Sequence, residues 1–204
     1  MLKRWIALGA VASATGAVLL VGNQAFANDD EFRAVLRDPA GVRIGTVDFS
    51  IDDDAMAVRA VLKPNRYVAA GAFHGFHVHA NNDPANGAGC IAVAAQPSST
   101  WFVSADGHLA ESGQTHGNHI GDMPSPLVLA DGTATLRFTT DRIDPEMLSE
   151  RAVILHAGPD NFGNVPTGPA ADQYTPNSAA ATDKTQKTGN AGDRVACGVV
   201  HRDD

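Results

Sequence analysis

The chain has 204 residues, 44% of them hydrophobic, and its 23 acidic side chains against 15 basic ones give a formal net charge of −8 at pH 7. That length and apolar content suffice for one domain with a sizeable core. The acidic balance argues against nucleic acid or an anionic membrane surface as a partner.

Residues 1–27 read as a secretory signal. Lys3 and Arg4 precede an apolar run over 5–22, and Ala25-Phe26-Ala27 forms a small-x-small cleavage site before Asn28. The alternative is an uncleaved membrane anchor, which the length of the run only just permits. No cysteine follows the run, which disfavours a lipoprotein. Residues 28–204 then form a single exported domain, secreted, held at the cell surface or periplasmic. Export makes a disulfide the default state of its two cysteines, Cys90 and Cys197. Closing a loop of about a hundred residues in this way is worth roughly 4 to 5 kcal/mol on the chain-entropy model.

Segments 32–37, 42–51, 55–62 and 133–139 carry roughly alternating apolar residues between turn signals such as Asp106-Gly107 and Asp131-Gly132. In 55–62, Met56, Val58, Ala60 and Leu62 share one face while Arg59 points the other way. Segments 152–155 and 195–200 look like buried, continuous strands. Helical periodicity is nearly absent, with one turn expected over 145–151. Many short strands separated by turns predict an all-β antiparallel sandwich or barrel. Two long segments, 81–123 and 159–193, read as loops, and loops of that length are usually functional or tied down. In the second, 167–190 has no apolar pattern, and part of it is expected to be mobile.

The run Gly75-Phe76-His77-Val78-His79 puts two imidazoles on the same face of one strand. Alone, such a pair is often incidental. Downstream, His108, His116, His119 and Asp122 fall within one polar loop, an all-N/O set suited to tetrahedral zinc with no open position. Gly117 and Gly121 allow that loop to turn its side chains inward. The alternative is a solvated histidine-rich loop. His156, at the end of the 152–155 strand, would join His77 and His79 in a group of three imidazoles, which suits copper.

With these residues in place the chain resembles the copper,zinc superoxide dismutases over about 32–200. The matching pieces are His74-Gly75-Phe76-His77-Val78-His79, Gly89-Cys90, Gly107-His108, His116-Gly-Asn-His-Ile-Gly-Asp122, His156-Ala-Gly-Pro-Asp160-Asn-Phe-Gly163 and Gly192-Asp-Arg194-Val-Ala-Cys197-Gly-Val199, in family order. Because only two residues separate His116 from His119, it looks like the bacterial exported branch. The resemblance implies an eight-stranded antiparallel Greek-key β-barrel, related to immunoglobulin-like sandwiches, with two long functional loops and one copper and one zinc per chain. It implies that His77, His79, His108 and His156 hold copper, that His108 bridges to zinc, and that His116, His119 and Asp122 complete the zinc shell. Arg194 would guide superoxide and, with His108, serve the reaction, His108 as a proton relay. Asp160 would link His77 to His116, His74 would be structural, and Cys90–Cys197 would be the family's disulfide. His201 has no implied role, and Lys184 and Lys187 could steer but are more simply solvated.

The chain departs from the family pattern at Leu109-Ala110-Glu111-Ser112, which bears on the zinc loop more than on the copper site. Its second loop is longer and poorer in charge than the family's usual steering loop. Superoxide is thus the expected substrate. The competing classes are a non-catalytic copper or zinc store or chaperone on the same fold, and a structural domain of the exported surface. A blue-copper electron carrier needs a cysteine ligand, and both cysteines are committed. A homodimer is compatible with the sequence but not established by it.

Overall fold

Period-two alternation governs the strands of the computed structural model, which describes residues 31–52, 55–87, 89–161 and 179–203. The expected signal at 1–27 and residues 162–178 of the second loop lie outside these residues. Among the described residues ten strands occur in chain order: β1 (Phe32–Arg37), β2 (Arg43–Asp52), β3 (Ala55–Leu62), β4 (Ala72–Phe73), β5 (Phe76–His79), β6 (Asp122–Met123), β7 (Leu127–Val128), β8 (Ala134–Thr140), β9 (Ala152–His156) and β10 (Arg194–Arg202). Eight of them form one antiparallel sheet in the order β6-β5-β9-β10-β1-β2-β3-β8, while β4 and β7 pair separately. The neighbours β5/β9, β10/β1 and β3/β8 are far apart in sequence, which is the Greek-key arrangement the family resemblance implies.

The sheet curls around one core. Phe76, Val78 and Met123 near one edge share it with Leu62 and Ala134 from the other. In register across three strands, Phe49, Val58 and Phe138 face inward while Asp48, Arg59 and Arg137 beside them face solvent. Phe49 and Val58 are buried and Phe138 is partly so, and a slip of one residue would turn all three to solvent, so this row helps to fix the register.

Strands β5 and β9 are buried on both faces. Their outer face is covered by the first long loop, whose Trp101, Phe102 and Ala105 pack on Ala152, Ile154 and Cys197. The loop is organised by short 3-10 turns at Pro84–Asn86, Ser98–Thr100 and Val103–Ala105, and by the Cys90–Cys197 disulfide, whose Cα atoms are 5.5 Å apart. The bridge lands on β10 three residues beyond Arg194.

The second loop differs from the sequence reading. Within the patternless 167–190 stretch the structure has a helix, α1 (Ala179–Thr188). Its sequence is polar all round, so no apolar stripe announces it. Three consecutive alanines favour the helix, and Asp183 and Lys187, one turn apart, pair at 3.0 Å. No helix among the described residues is long and apolar enough to cross a membrane.

Candidate metal centre

The two faces of β5 have opposite destinations. Phe76 and Val78 enter the barrel core, whereas His77 and His79 lie under the first loop, each no more than 1% exposed. Pairing of β5 with β9 sets His77 opposite Ile154 and His79 opposite Ala152, and the His156 amide donates to the Gly75 carbonyl at 2.8 Å. This register brings His156 level with the pair.

His108 arrives by backbone stitching. The Ala80 amide donates to Gly107 O (2.9 Å), the Leu109 amide to Val78 O (2.8 Å) and the Val78 amide to Gly121 O (2.8 Å). A Cβ on Gly121 would collide with the Val78 carbonyl, so only glycine permits this approach. The ring centroids of His77 and His108 end 4.0 Å apart, and those of His79 and His108 4.8 Å apart.

Each imidazole has one nitrogen engaged and one aimed inward. His77 donates from Nε2 to Asp160 Oδ1 (2.9 Å), His79 from Nδ1 to the Asp106 carbonyl (2.8 Å) and His156 from Nδ1 to the Gly192 carbonyl (3.1 Å). These acceptors fix the tautomers. The remaining atoms, His77 Nδ1, His79 Nε2, His156 Nε2 and His108 Nε2, are buried without a hydrogen-bond partner, and one ligand atom from each of the four residues lies within 4.8 Å of the others. Four buried lone pairs facing one point are costly unless a cation sits between them.

A second group surrounds Asp122. Its Oδ1 lies 2.9, 3.3 and 3.4 Å from Nδ1 of His108, His116 and His119. A tetrahedral ion with ligands at 2.0–2.1 Å requires ligand-to-ligand edges of about 3.3 Å. The Nδ1 atoms of His108 and His119 are 3.2 Å apart, which suits two ligands of one ion. Asp122 Oδ2 is occupied separately by the amides of Gly117 (2.6 Å) and His119 (3.1 Å). His77 also lies within 4.8 Å of this group, but its Nε2 is committed to Asp160, so His119 is the better fourth ligand. His108 therefore belongs to both clusters, one ring nitrogen in each. The residues fit copper in the all-imidazole group and zinc in the group containing a carboxylate.

Asp160 connects the two groups. Its Oδ1 is 2.9 Å from His77 Nε2 and 3.6 Å from His116 Nε2, and Ser125 Oγ donates to its Oδ2 at 2.9 Å. His74 stands outside both groups, its ring nitrogens on the carbonyls of His156 (2.7 Å) and Ala69 (2.8 Å). His201 is exposed beside Glu150, and Lys187 is engaged with Asp183, so neither is drawn to the centre. Arg194, opposite His156 at the start of β10, donates from its two terminal nitrogens to the carbonyls of Phe102 and Asp106, each at 2.5 Å.

Several contributors carry no signal in side-chain chemistry. Gln186 of α1 accepts from the His116 amide through its backbone carbonyl. Gly189, at φ +62°, lies so close to His116 and Asp160 that a Cβ would displace them. Arg142, a side chain outside the 108–122 segment, donates to the carbonyls of Gly117 and His119.

Burial drives the electrostatics. It pushes the His77 and His79 imidazoles far below their ordinary range, with help from the neighbouring His108, and lowers His156 to about 3. Arg194, opposite His156 in register and sharing the Asp106 carbonyl with His79, adds its charge to the depression of both rings. Burial would raise the Asp122 carboxyl, but hydrogen bonds from His108 and His116 outweigh it and hold the group well below the usual carboxylate range. His77, His79, His156 and Asp122 are thus in the deprotonated forms that metal binding requires at neutral pH.

A pH dependence follows. The unfolded histidines bind protons near 6.5, whereas the folded ones resist until far lower, so the metal-free protein should lose stability as pH falls below about 6.5. For His156 alone, a value of about 3 corresponds to a loss on the order of 4 kcal/mol by pH 3. Asp122 adds to the loss below about 4, because its folded value is also depressed. Denaturant titrations at pH 7, 5.5 and 4.5 check this, and a flat stability profile would contradict it.

Known proteins place the chain clearly. A family model described as copper/zinc superoxide dismutase matches residues 43–200. The chain is 35% identical over 172 residues to "Superoxide dismutase [Cu-Zn]" of Mycolicibacterium paratuberculosis, covering 81% of this chain and 71% of that protein. It is 33% identical over 173 residues to the protein of that name from Mycobacterium tuberculosis, covering 82% and 68%. With "Extracellular superoxide dismutase [Cu-Zn]" of Brugia pahangi it shares 30% over 176 residues, covering 82% and 73%. Among solved structures, the clock protein EA4 superposes with a TM-score of 0.59 at 24% identity, over 85% of this chain and 94% of that one. A double mutant of a SOD-like protein from Bacillus subtilis gives 0.57 at 20%, over 81% and 94%. These two likenesses speak to the fold alone.

Proposed function

Because the chain belongs to the copper/zinc superoxide dismutase family, we propose that it dismutes superoxide outside the cytoplasm at the centre described above. His77, His79, His108 and His156 would hold copper, and His108, His116, His119 and Asp122 would hold zinc. The observation that carries this reading is the convergence of four unpartnered ring nitrogens, on side chains whose other nitrogens are already engaged.

Copper held there would supply one-electron redox chemistry, and zinc a fixed charge without redox change. Arg194 binds the anion. Its guanidinium is permanently charged and forked, and the Phe102 and Asp106 carbonyls hold one side of it, leaving its other N–H groups for a small anion beside His79 and His156. His108 Nε2 is the atom at which one of the two protons that peroxide needs is taken up and passed on, the other coming from solvent. Its Nδ1 stays anchored in the Asp122 group, so the ring holds its place as the proton moves. Asp160 keeps the His77 ring oriented through Nε2 and ties that orientation to His116. The buried floor of Ala152, Ile154 and Cys197 under Trp101 and Phe102 keeps water from the side of the cluster away from solvent.

The extracytoplasmic setting is supported by the signal-like 1–27 segment ahead of a 28–204 domain, by the disulfide, and by the word extracellular in one relative's name. The test is the dismutation rate of the protein loaded with copper and zinc, with metal content measured on the same sample. A copper-dependent rate near the diffusional ceiling of roughly 10⁸ to 10⁹ M⁻¹s⁻¹ is expected. If both metals bind and superoxide survives, the protein is a metal-binding module instead.

A further inference from the structure

One backbone oxygen serves both a proposed copper ligand and the anion-binding arginine. The Asp106 carbonyl accepts from His79 Nδ1 at 2.8 Å and from Arg194 at 2.5 Å. Its direction is set by an unusual conformation. Asp106 has φ +62° and ψ −157°, a region that is essentially glycine's alone. A side chain there persists only when its surroundings over-determine it.

Those surroundings are visible. Asp106 Oδ2 accepts from the backbone amides of Asn82 (2.7 Å) and Asp83 (2.8 Å), and Oδ1 accepts from Asn86 Nδ2 (2.7 Å). Three hydrogen bonds thus tie the carboxylate to the chain just beyond β5, which carries His79. Phe102, at the other end of the same Val103–Ala105 turn, is also left-handed at φ +55°, and its carbonyl holds the second terminal nitrogen of Arg194. Both acceptors for Arg194 are therefore non-glycine residues in conformations that side chains avoid.

We propose that Asp106 is a positioning residue: its carboxylate, clamped by Asn82, Asp83 and Asn86, holds a glycine-like backbone that aims one carbonyl at Arg194 and His79 together. The inference rests on the reading of Arg194 as the anion's binding residue. It adds a residue that acts through Arg194 and touches no substrate.

The experiment compares azide affinity and the copper(II) electron paramagnetic resonance spectrum in protein loaded with copper and zinc. Asp106→Ala loses the clamp and cannot relax, so azide should bind about tenfold more weakly and the copper spectrum should shift. Asp106→Gly loses the clamp but adopts the conformation freely, and Asp106→Asn keeps an acceptor for the Asn82 and Asp83 amides, so both should stay within twofold of the parent. A merely structural role for the carboxylate would impair Gly and Ala alike, and that pattern overturns the proposal. So does an Ala variant with unchanged affinity and spectrum. If Asp106→Ala does not fold, Asn86→Ala decides: about twofold weaker azide binding supports the clamp, and unchanged binding overturns it. Arg194→Met separates the two readings. If it leaves azide affinity unchanged, the role of Arg194 falls and the inference with it; if it weakens binding while Asp106→Ala does not, only the inference falls.

Discussion

In His156→Ala and in His79→Ala, superoxide dismutation should fall to background while the chain stays folded and keeps its zinc. The two groups of ligands share only His108. His79 and His156 come from β5 and β9, whereas His116, His119 and Asp122 come from the loop beyond His108 and from β6. The zinc group's own contacts, Asp122 Oδ1 to three Nδ1 atoms and Asp122 Oδ2 to two amides, involve neither mutated ring. Stability should change little. Each substitution removes a buried imidazole and one bond to a carbonyl, a loss of about 1 kcal/mol plus a cavity cost, but it also removes a buried unpartnered nitrogen. Metal analysis and circular dichroism beside the activity assay check all three statements. Retained dismutation in either variant would remove these residues from the copper group.

The fold was legible because alternation is a direct consequence of strand geometry. Met56, Val58, Ala60 and Leu62 all lie in the core, and β1 and β3 have the predicted bounds. The histidine spacing was legible for the same reason: His77 and His79 must share a face. Which nitrogen of each ring turns inward was not legible, because acceptors distant in sequence decide it. His77 presents Nδ1 because Asp160, 83 residues away, takes its Nε2, while His79 presents Nε2 because the Asp106 carbonyl takes its Nδ1. Helix α1 was missed because a polar helix without an apolar stripe looks like a loop, and its service to the zinc group is a backbone carbonyl that any residue could provide. Asp106-Gly107 read only as a turn. Its strained backbone becomes visible only with coordinates.

Replacing Arg194 should slow dismutation without emptying either metal group, by about tenfold for Arg194→Met and about a hundredfold for Arg194→Glu, within the range by which local charge alters the arrival of ions. The chain is acidic overall, so a superoxide anion approaches against the net field and depends on local positive potential at the site. Arg194 lies close enough to His79 and His156 to perturb both rings. Arg194→Lys keeps the charge but not the fork. It cannot reproduce two parallel donations to Phe102 and Asp106, so it should recover only part of the rate. Ionic strength separates arrival from chemistry. With screening lengths near 10 Å at 0.1 M salt, the parent rate should fall as salt rises, the Met variant should respond less, and the Glu variant should speed up as its repulsion is screened. In the Met and Glu variants the Phe102 carbonyl loses its donor, at roughly 1 to 3 kcal/mol, and the Asp106 carbonyl keeps only His79, so rates are to be compared at temperatures where all four proteins remain folded. Equal rates in the parent and the Glu variant across the salt series would show that Arg194 holds the loop and does not receive the anion.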